Sequence, residues 1–355
     1  MIDNIKEFLI PKTLSIKEAM RKLDISSRKV LFVTDDADVL FGSLTDGDIR
    51  RWILSGGSLK NKVDDVCNKN PHTAGLDYDV SDIKHLMVRE DIESIPILTN
   101  DRKIHSILFW EEVFSDSGGR PAHKSIDIPV VIMAGGKGTR MEPFTNVLPK
   151  PLIPIGEKTI VECIIDEFRQ FNVDRFYLTL NYKGAMIEAY FTGEVRPYTI
   201  EYLWEKDFCG TAGSLSLLKG KITGDIIVSN CDNIVRADYY EVLELHRKNK
   251  SYLTILSSIQ HHKIPYGVVS FKEGGEVTEI IEKPEYTFPI NTGIYILNVS
   301  ALEYIPERTV FHMTHLIERL IADNKKVFTY PVSESDYIDI GQWDEYKNVV
   351  NKLKL

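Results

Sequence analysis

At 355 residues, with 27% charged and 43% hydrophobic side chains, the chain has an ordinary globular balance and room for two or three domains. A formal net charge of −9 gives a nucleic-acid partner no electrostatic support, and no apolar run approaches transmembrane length. Cys67, Cys163, Cys209 and Cys231 are widely spaced with no Cys-x-x-Cys, which argues against zinc clusters and a disulfide framework. No signal peptide is apparent at the N-terminus, so the expected location is the cytoplasm, with no membrane partner.

Residues 1–118 carry a repeat with a constant offset of 64. Ile16 aligns with Val80, Leu23 with Met87, Val33 with Ile97, Leu44 with Leu108, and Ile49 with Val113. The copies, about 10–58 and 62–116, each read helix, strand, strand, helix. In the first copy these are a helix over 15–23, strands over 30–34 and 39–44, and a second helix over 48–54. Two such α+β units bury their apolar faces against each other. The first copy contains Gly42-Ser43-Leu44-Thr45-Asp46-Gly47-Asp48-Ile49-Arg50 at a strand–turn–helix junction. Read locally, Asp48 is an acid at a helix start. The second copy has Phe109 and Glu112 at the positions of Thr45 and Asp48. Residues 115–127 have linker composition, and the boundary is expected at 119–127.

From 128 onward strands and helices alternate, which predicts an α/β domain over 128–355 with a mainly parallel sheet and helices on both faces. Strands are expected at 130–133, 175–180, 199–204, 225–229, 252–258, 266–271 and 293–297. The clearest helix spans 159–171, with a capping box from Thr159 and Glu162. Further helices are expected at 238–248, 311–323 and 343–353. Ligands on such sheets bind beyond the C-terminal strand ends. At one such end the apolar run Val130–Met133 leads into Ala134, Gly135, Gly136, Lys137, Gly138, Thr139 and Arg140. Glycines let backbone N–H groups approach phosphate oxygens, and Arg140 adds a planar fork of donors. Lys150 sits between Pro149 and Pro151, which hold the backbone extended.

Gly-Gly-x-Gly-Thr-Arg followed by Leu-Pro-Lys-Pro resembles the opening signature of the sugar-phosphate nucleotidyltransferases. Later segments resemble the same family in order. Gly210-Thr211-Ala212-Gly213 is similar to its nucleotide- and sugar-pocket segment, and Ser229-Asn230-Cys231-Asp232-Asn233 to the segment bearing its first metal aspartate. Tyr266-Gly267 and Asn291-Thr292-Gly293 resemble its sugar-contacting turns. Ile281-Glu282-Lys283-Pro284 resembles its Glu-Lys-Pro motif, and the run from Tyr337 to Trp343 its Asp-Ile-Gly motif. Taken singly, each has a plainer reading as a cap, a turn or a solvated pair.

Together the resemblance implies a Rossmann-like domain in which Ala134, Gly135, Gly136, Gly138, Thr139, Gly210 and Thr211 hold the nucleotide. Tyr266, Gly267, Glu282, Asn291 and Gly293 would contact the sugar. Arg140, Lys150 and Lys283 would neutralise charge, and Asp232 and Asp339 would hold Mg²⁺ against the α-phosphate. Two carboxylates about 4 Å apart repel by roughly 4 kcal/mol at an effective dielectric near 20, and a divalent cation reverses that. The implied partners are a nucleoside triphosphate and a sugar 1-phosphate, whose oxygen attacks the α-phosphorus as pyrophosphate leaves. A phosphate monoester is mostly dianionic at neutral pH, so no base is needed, and none of the nine histidines lies in a catalytic motif.

The N-terminal repeat resembles a tandem pair of CBS domains, which implies an adenine nucleotide at Thr45 and Asp48 and a homodimer. Within the family, the CBS-containing guanylyltransferases of bacterial legionaminic acid biosynthesis are the nearest resemblance. They imply GTP and glucosamine 1-phosphate as substrates and GDP-glucosamine as product. Mannose-1-phosphate guanylyltransferase, thymidylyl- or uridylyltransferase, glycosyltransferase and inactive nucleotide-sensor readings stay open.

Overall fold

The offset of 64 reappears as geometry. The computed structural model describes residues 5–26, 28–90, 92–113, 124–193, 195–307, 309–341, 343 and 345–347. It divides into two units, Met1–Ala122 and His123–Leu355. In the first unit Leu9–Pro11 pairs in parallel with Val30–Thr34, which pairs antiparallel with Leu40–Thr45. Ala74–Gly75, Ser94–Leu98 and Ile104–Phe109 repeat that order and sense. Helices Ile16–Ile25 and Val80–Glu90 stand at equivalent places, as do Asp46–Leu54 and Trp110–Val113. Phe8, Val30, Phe32, Leu98, Ile107 and Phe109 form one apolar cluster drawn from both copies. The helix expected from Asp48 starts at Asp46, because Thr45 is its N-cap and Asp48, the third residue of the helix, completes the capping box.

The second unit holds a seven-stranded sheet. We label its strands β1 (Val130–Met133), β2 (Arg175–Leu180), β3 (Thr199–Trp204), β4 (Asp225–Asn230), β5 (Leu253–Lys263), β6 (Glu285–Asn298) and β7 (Val327–Val332). Their order is β3-β2-β1-β4-β6-β5-β7, and β6 alone runs antiparallel to its neighbours. Alternation along β1 explains the layers. Val130 and Ile132 join the core beneath α1 (Ile160–Arg169), α2 (Gly184–Thr192) and α3 (Tyr239–Asn249). Val131 and Met133 join the opposite core, with Leu316 and Leu320 of α4 (Met313–Ala322). A strand buried on both faces reads as a continuous apolar run, which is how β1 appears in the sequence. The capping box of Thr159 and Glu162 starts α1 as expected.

Three expectations change. The strands expected at 252–258 and 293–297 are parts of longer ones, and β5 and β6 continue as an arm to the pair Lys263 and Glu285. The strand expected at 266–271 is Val268–Phe271, paired with Val277–Ile281 in a separate hairpin rather than in the main sheet. Both hairpin strands are largely exposed. The helix expected at 343–353 falls mostly outside the described residues.

At the far end of the sheet from the glycine loop, β4 begins with Asp225. Asn298 Nδ2 donates to its Oδ1 at 2.9 Å and Arg247 Nε to its Oδ2 at 3.1 Å, with His246 Nε2 3.5 Å from Oδ1. Burial pushes the Asp225 pKa up, but the His246 ring beside it and the hydrogen bonds from Asn298 and Arg247 outweigh it and hold the value at about 2. A carboxyl depressed in the folded state stabilises above its unfolded pKa and loses that contribution as pH falls through the folded one. Asp225→Asn should therefore cost about 2 kcal/mol at neutral pH. It should also flatten the loss of stability between roughly pH 4 and pH 2. Urea unfolding across that range measures both.

Candidate active site

The chain order reverses between β1 and β4, so the two strands open a crevice at their C-terminal ends. Ala134, 1% exposed, follows β1 and leads into the glycine loop. Its glycines do different work. Gly138 is left-handed, φ +66°, and a Cβ there would lie 2.9 Å from Lys150 Cβ and 3.0 Å from Thr145 Cγ2. A Cβ on Gly135 would lie 2.6 Å from Glu205 Oε1, so this glycine admits a carboxylate. Gly136 faces open space.

Lys150 begins a 3₁₀ turn after Pro149 and is 5% exposed. Its ammonium meets the Asp232 carboxylate, and Arg140 Nη2 lies 3.4 Å from Asp232 Oδ2. A buried ammonium needs such a partner. Asp339 reaches the same place through a short ladder: Tyr337–Asp339 pairs antiparallel with Asn233–Val235, with Asn233 opposite Asp339. Ile340 N–H donates to Asp232 O at 2.8 Å. Both carboxylates and the guanidinium converge on Gly341. A Cβ there would lie 2.6 Å from Asp339 Oδ1 and 3.2 Å from both Asp232 Oδ2 and Arg140 Nη2. Neighbouring carboxylates are the donor type that a hard divalent cation such as Mg²⁺ takes, and Asp232 Oδ2 here already meets the Lys150 and Arg140 cations. Trp343 Nε1 donates to Glu142 O at 2.9 Å, and its ring packs on Phe144, which ties this C-terminal segment to the loop between Arg140 and Lys150.

A cavity of about 260 Å³ lies over these groups, lined by Gly135, Gly136, Gly138, Thr139, Arg140, Lys150, Gly210, Thr211 and Asp232. The sequence reading missed Thr179, Glu205, Phe208 and Asn230 on the same walls. Glu205 follows β3 and is 8% exposed; its Oε2 accepts from Cys209 N–H at 3.0 Å, and burial raises its pKa. The only signal for it in the sequence is an acid at a strand end, five residues before Gly210. Cys231 is no nucleophile: burial, then the Asp232 charge, push its thiol up to about 12.

Gly210–Gly213 forms a single helical turn with Gly210 at φ +78°. Thr211 Oγ1 caps a different helix, accepting from Met313 N–H at 3.1 Å. On the other side, Gly293 (φ +81°) borders the crevice; a Cβ there would lie 2.3 Å from Asn230 Nδ2. Asn291 Nδ2 donates to Tyr295 OH at 2.7 Å.

Tyr266, Gly267, Glu282 and Lys283 sit at the base of the outlying hairpin. Tyr266 is 75% exposed, and a Cβ on Gly267 would lie 3.0 Å from Glu282 Oε2. Among the described residues no hydrogen bond or ion pair links Lys283 to Arg140, Lys150, Asp232 or Asp339. The structure thus gathers four of the five charged residues expected together. Lys283 joins none of those contacts; it lies at the base of the hairpin that the arm of β5 and β6 carries.

In the N-terminal unit, Thr45 N and Oγ1 both donate to Asp48 Oδ2, at 2.8 and 2.7 Å, and Arg51 Nη2 donates to Asp48 Oδ1 at 2.6 Å. The pair is engaged in its own helix start. In the second copy Phe109 is 2% exposed and Phe109 N–H donates to Glu112 Oε2 at 3.4 Å, a weaker version of the same contact.

The nucleotidyl transferase family model matches residues 129–354, and the CBS domain model matches 63–114, the second copy. The chain belongs to the nucleotidyl transferase family, on a mixed α/β fold with an N-terminal CBS domain. It is 29% identical over 225 residues to a mannose-1-phosphate guanylyltransferase of Mycobacterium tuberculosis, 62% of each chain. It is 28% identical over 235 residues to a D-glycero-alpha-D-manno-heptose 1-phosphate guanylyltransferase of Aneurinibacillus thermoaerophilus, 63% of this chain and 97% of that one. A UTP–glucose-1-phosphate uridylyltransferase of Synechocystis is 28% identical over 235 residues. The chain spans about three-fifths of the length of several such relatives. Among solved structures, HddC from Yersinia pseudotuberculosis is similar, with a TM-score of 0.51 and 26% identity over 64% of this chain and all of that one. No helix among the described residues is long and apolar enough to cross a membrane.

Asp232→Asn should lower stability as well as turnover, by roughly 3 kcal/mol, because it strands the buried Lys150 ammonium. The double change Lys150→Met with Asp232→Leu should recover most of that stability and none of the turnover. Thermal melts beside a pyrophosphate-release assay separate the two effects.

Proposed function

We propose that the protein is a sugar-1-phosphate guanylyltransferase that joins GTP to glucosamine 1-phosphate, releasing pyrophosphate and GDP-glucosamine for a surface-glycan route such as legionaminic acid biosynthesis. The observation that carries the reaction class is the convergence of Arg140, Lys150, Asp232 and Asp339 at the ends of β1 and β4. The open face of Gly136 and the N–H groups beside it receive the triphosphate. Arg140 and Lys150 hold the α-phosphate and the departing pyrophosphate in line. Lys283 holds the attacking phosphate, and Glu282, Asn291 and the turn at Gly293 meet the sugar. Mg²⁺ bound by Asp232 and Asp339 would neutralise charge on the phosphates.

Glu205 favours guanine. A carboxylate only accepts hydrogen bonds, and guanine alone among the common bases offers two adjacent donors, N1–H and the 2-amino group. Phe208, 48% exposed on the cavity wall, offers a ring face for the base. The choice of glucosamine rests on the family resemblance. Mannose 1-phosphate is the second reading, supported by the similarity to the mycobacterial guanylyltransferase. At the CBS unit an adenine nucleotide would exchange the Thr45–Asp48 hydrogen bonds for contacts to its ribose and phosphate. We further propose that the protein acts as a homodimer in the cytoplasm.

Pyrophosphate release with Mg²⁺, each nucleoside triphosphate and a panel of sugar 1-phosphates tests the assignment. GTP with glucosamine 1-phosphate should be fastest. Release with UTP or dTTP but not GTP refutes the guanylyl reading, and no release with any pair favours a nucleotide sensor. Glu205→Gln should lower kcat/KM for GTP by about a hundredfold, with a smaller loss for UTP. Calorimetric titration with AMP, ADP and ATP should show binding that Thr45→Ala abolishes; undiminished binding puts the regulatory ligand elsewhere.

A further inference from the structure

Lys183 breaks three local rules at once. Its backbone is left-handed, φ +52°, in a region disfavoured for any residue with a side chain. It is the N-cap of α2, where an acceptor belongs, and an ammonium has donors only. It also sets a cation at the positive end of a helix dipole. Such coincident violations mark places where something other than local stability is served.

The side chain shows what is served. Lys183 Nζ donates to Asn146 O at 2.7 Å and to Thr145 O at 3.2 Å. Its neighbour Tyr182 adds a hydroxyl donor to Thr145 O at 3.3 Å. Those carbonyls belong to the turn Phe144–Asn146, midway between Arg140 and Lys150. Thr145 is 2% exposed, and its Cγ2 and the Lys150 Cβ both border the space left by the missing Gly138 side chain. A shift of that turn therefore moves Lys150.

We propose that Lys183, seconded by Tyr182, is a positioning residue for nucleotidyl transfer, fixing the turn at Thr145 and Asn146 and through it the placement of Lys150. This rests on the reading of Lys150 given above. Lys183 touches neither the cavity nor the reacting atoms, so its effect should fall on turnover rather than on substrate affinity.

The test pairs Lys183→Gly with Lys183→Met, Lys183→Arg and Lys150→Met in the full-length protein. Glycine relieves the left-handed strain, so the Lys183→Gly melting temperature should hold or rise. Its kcat should nevertheless fall by about tenfold to a hundredfold, the size expected from a misplaced catalytic group, while KM for both substrates changes little. Lys183→Met should show the same loss of kcat, and Lys183→Arg, which keeps charged donors, should restore most of it. In a Lys150→Met background, Lys183→Gly should add no further loss. Unchanged kcat in Lys183→Gly beside a Lys150→Met that keeps only a small measurable turnover overturns this inference and leaves the Lys150 reading intact. Full turnover in Lys150→Met overturns the Lys150 reading, and the inference with it. A loss in Lys183→Gly that follows melting temperature and KM, with no rescue by arginine, assigns Lys183 a structural role only.

Discussion

A lysine ammonium buried to 5% exposure against the Asp232 carboxylate is the interaction around which the catalytic unit is arranged. Taking a charge out of water is tolerable only with a partner in good geometry. The surrounding sequence supplies that geometry from several directions. Pro149 sets the entry to the Lys150 turn, and Gly138 leaves room for the lysine stem. The Tyr337–Asp339 ladder brings a second carboxylate alongside. Arg140, 60% exposed at the rim of the same cluster, remains accessible to an incoming phosphate.

The sheet order divides labour around that pair. β1 and β4 are adjacent at the reversal, so their C-terminal ends share one crevice. Glu205 and Phe208 lie on the β3 side, where the proposed function puts the base. On the β6 side Gly293 lies against Asn230, where it puts the sugar. In that proposal the phosphates lie between, over the charged cluster. Gly135 and Gly293 are small for the sake of neighbouring side chains, Glu205 and Asn230, rather than only to expose backbone N–H groups.

The N-terminal unit shows how one pair of residues serves two readings. Thr45 and Asp48 make a capping box whose oxygens are engaged within their own helix turn. The CBS family model matches the other copy, where Phe109 packs on Phe8. The apolar pattern of strands and helices, shared by both copies, survives the loss of the polar pair.

Chain order, strand type and loop chemistry were legible in the sequence because they are local. The offset of 64, the capping box at Thr159, and the buried run of β1 all follow from period and propensity. The glycine loop and the aspartates at 232 and 339 were legible as motifs. Tertiary structure alone decided which of them meet. A two-stranded ladder with no strong signal of its own joins Asp339 to Asp232, and an arm continuing from β5 and β6 carries the hairpin that bears Lys283. Glu205 and Lys183 were invisible beforehand because an isolated charge in a sequence carries no record of the backbone it will face. Their significance lies in through-space contacts to Gly135 and to the carbonyls of Thr145 and Asn146, which exist only once the sheet has formed.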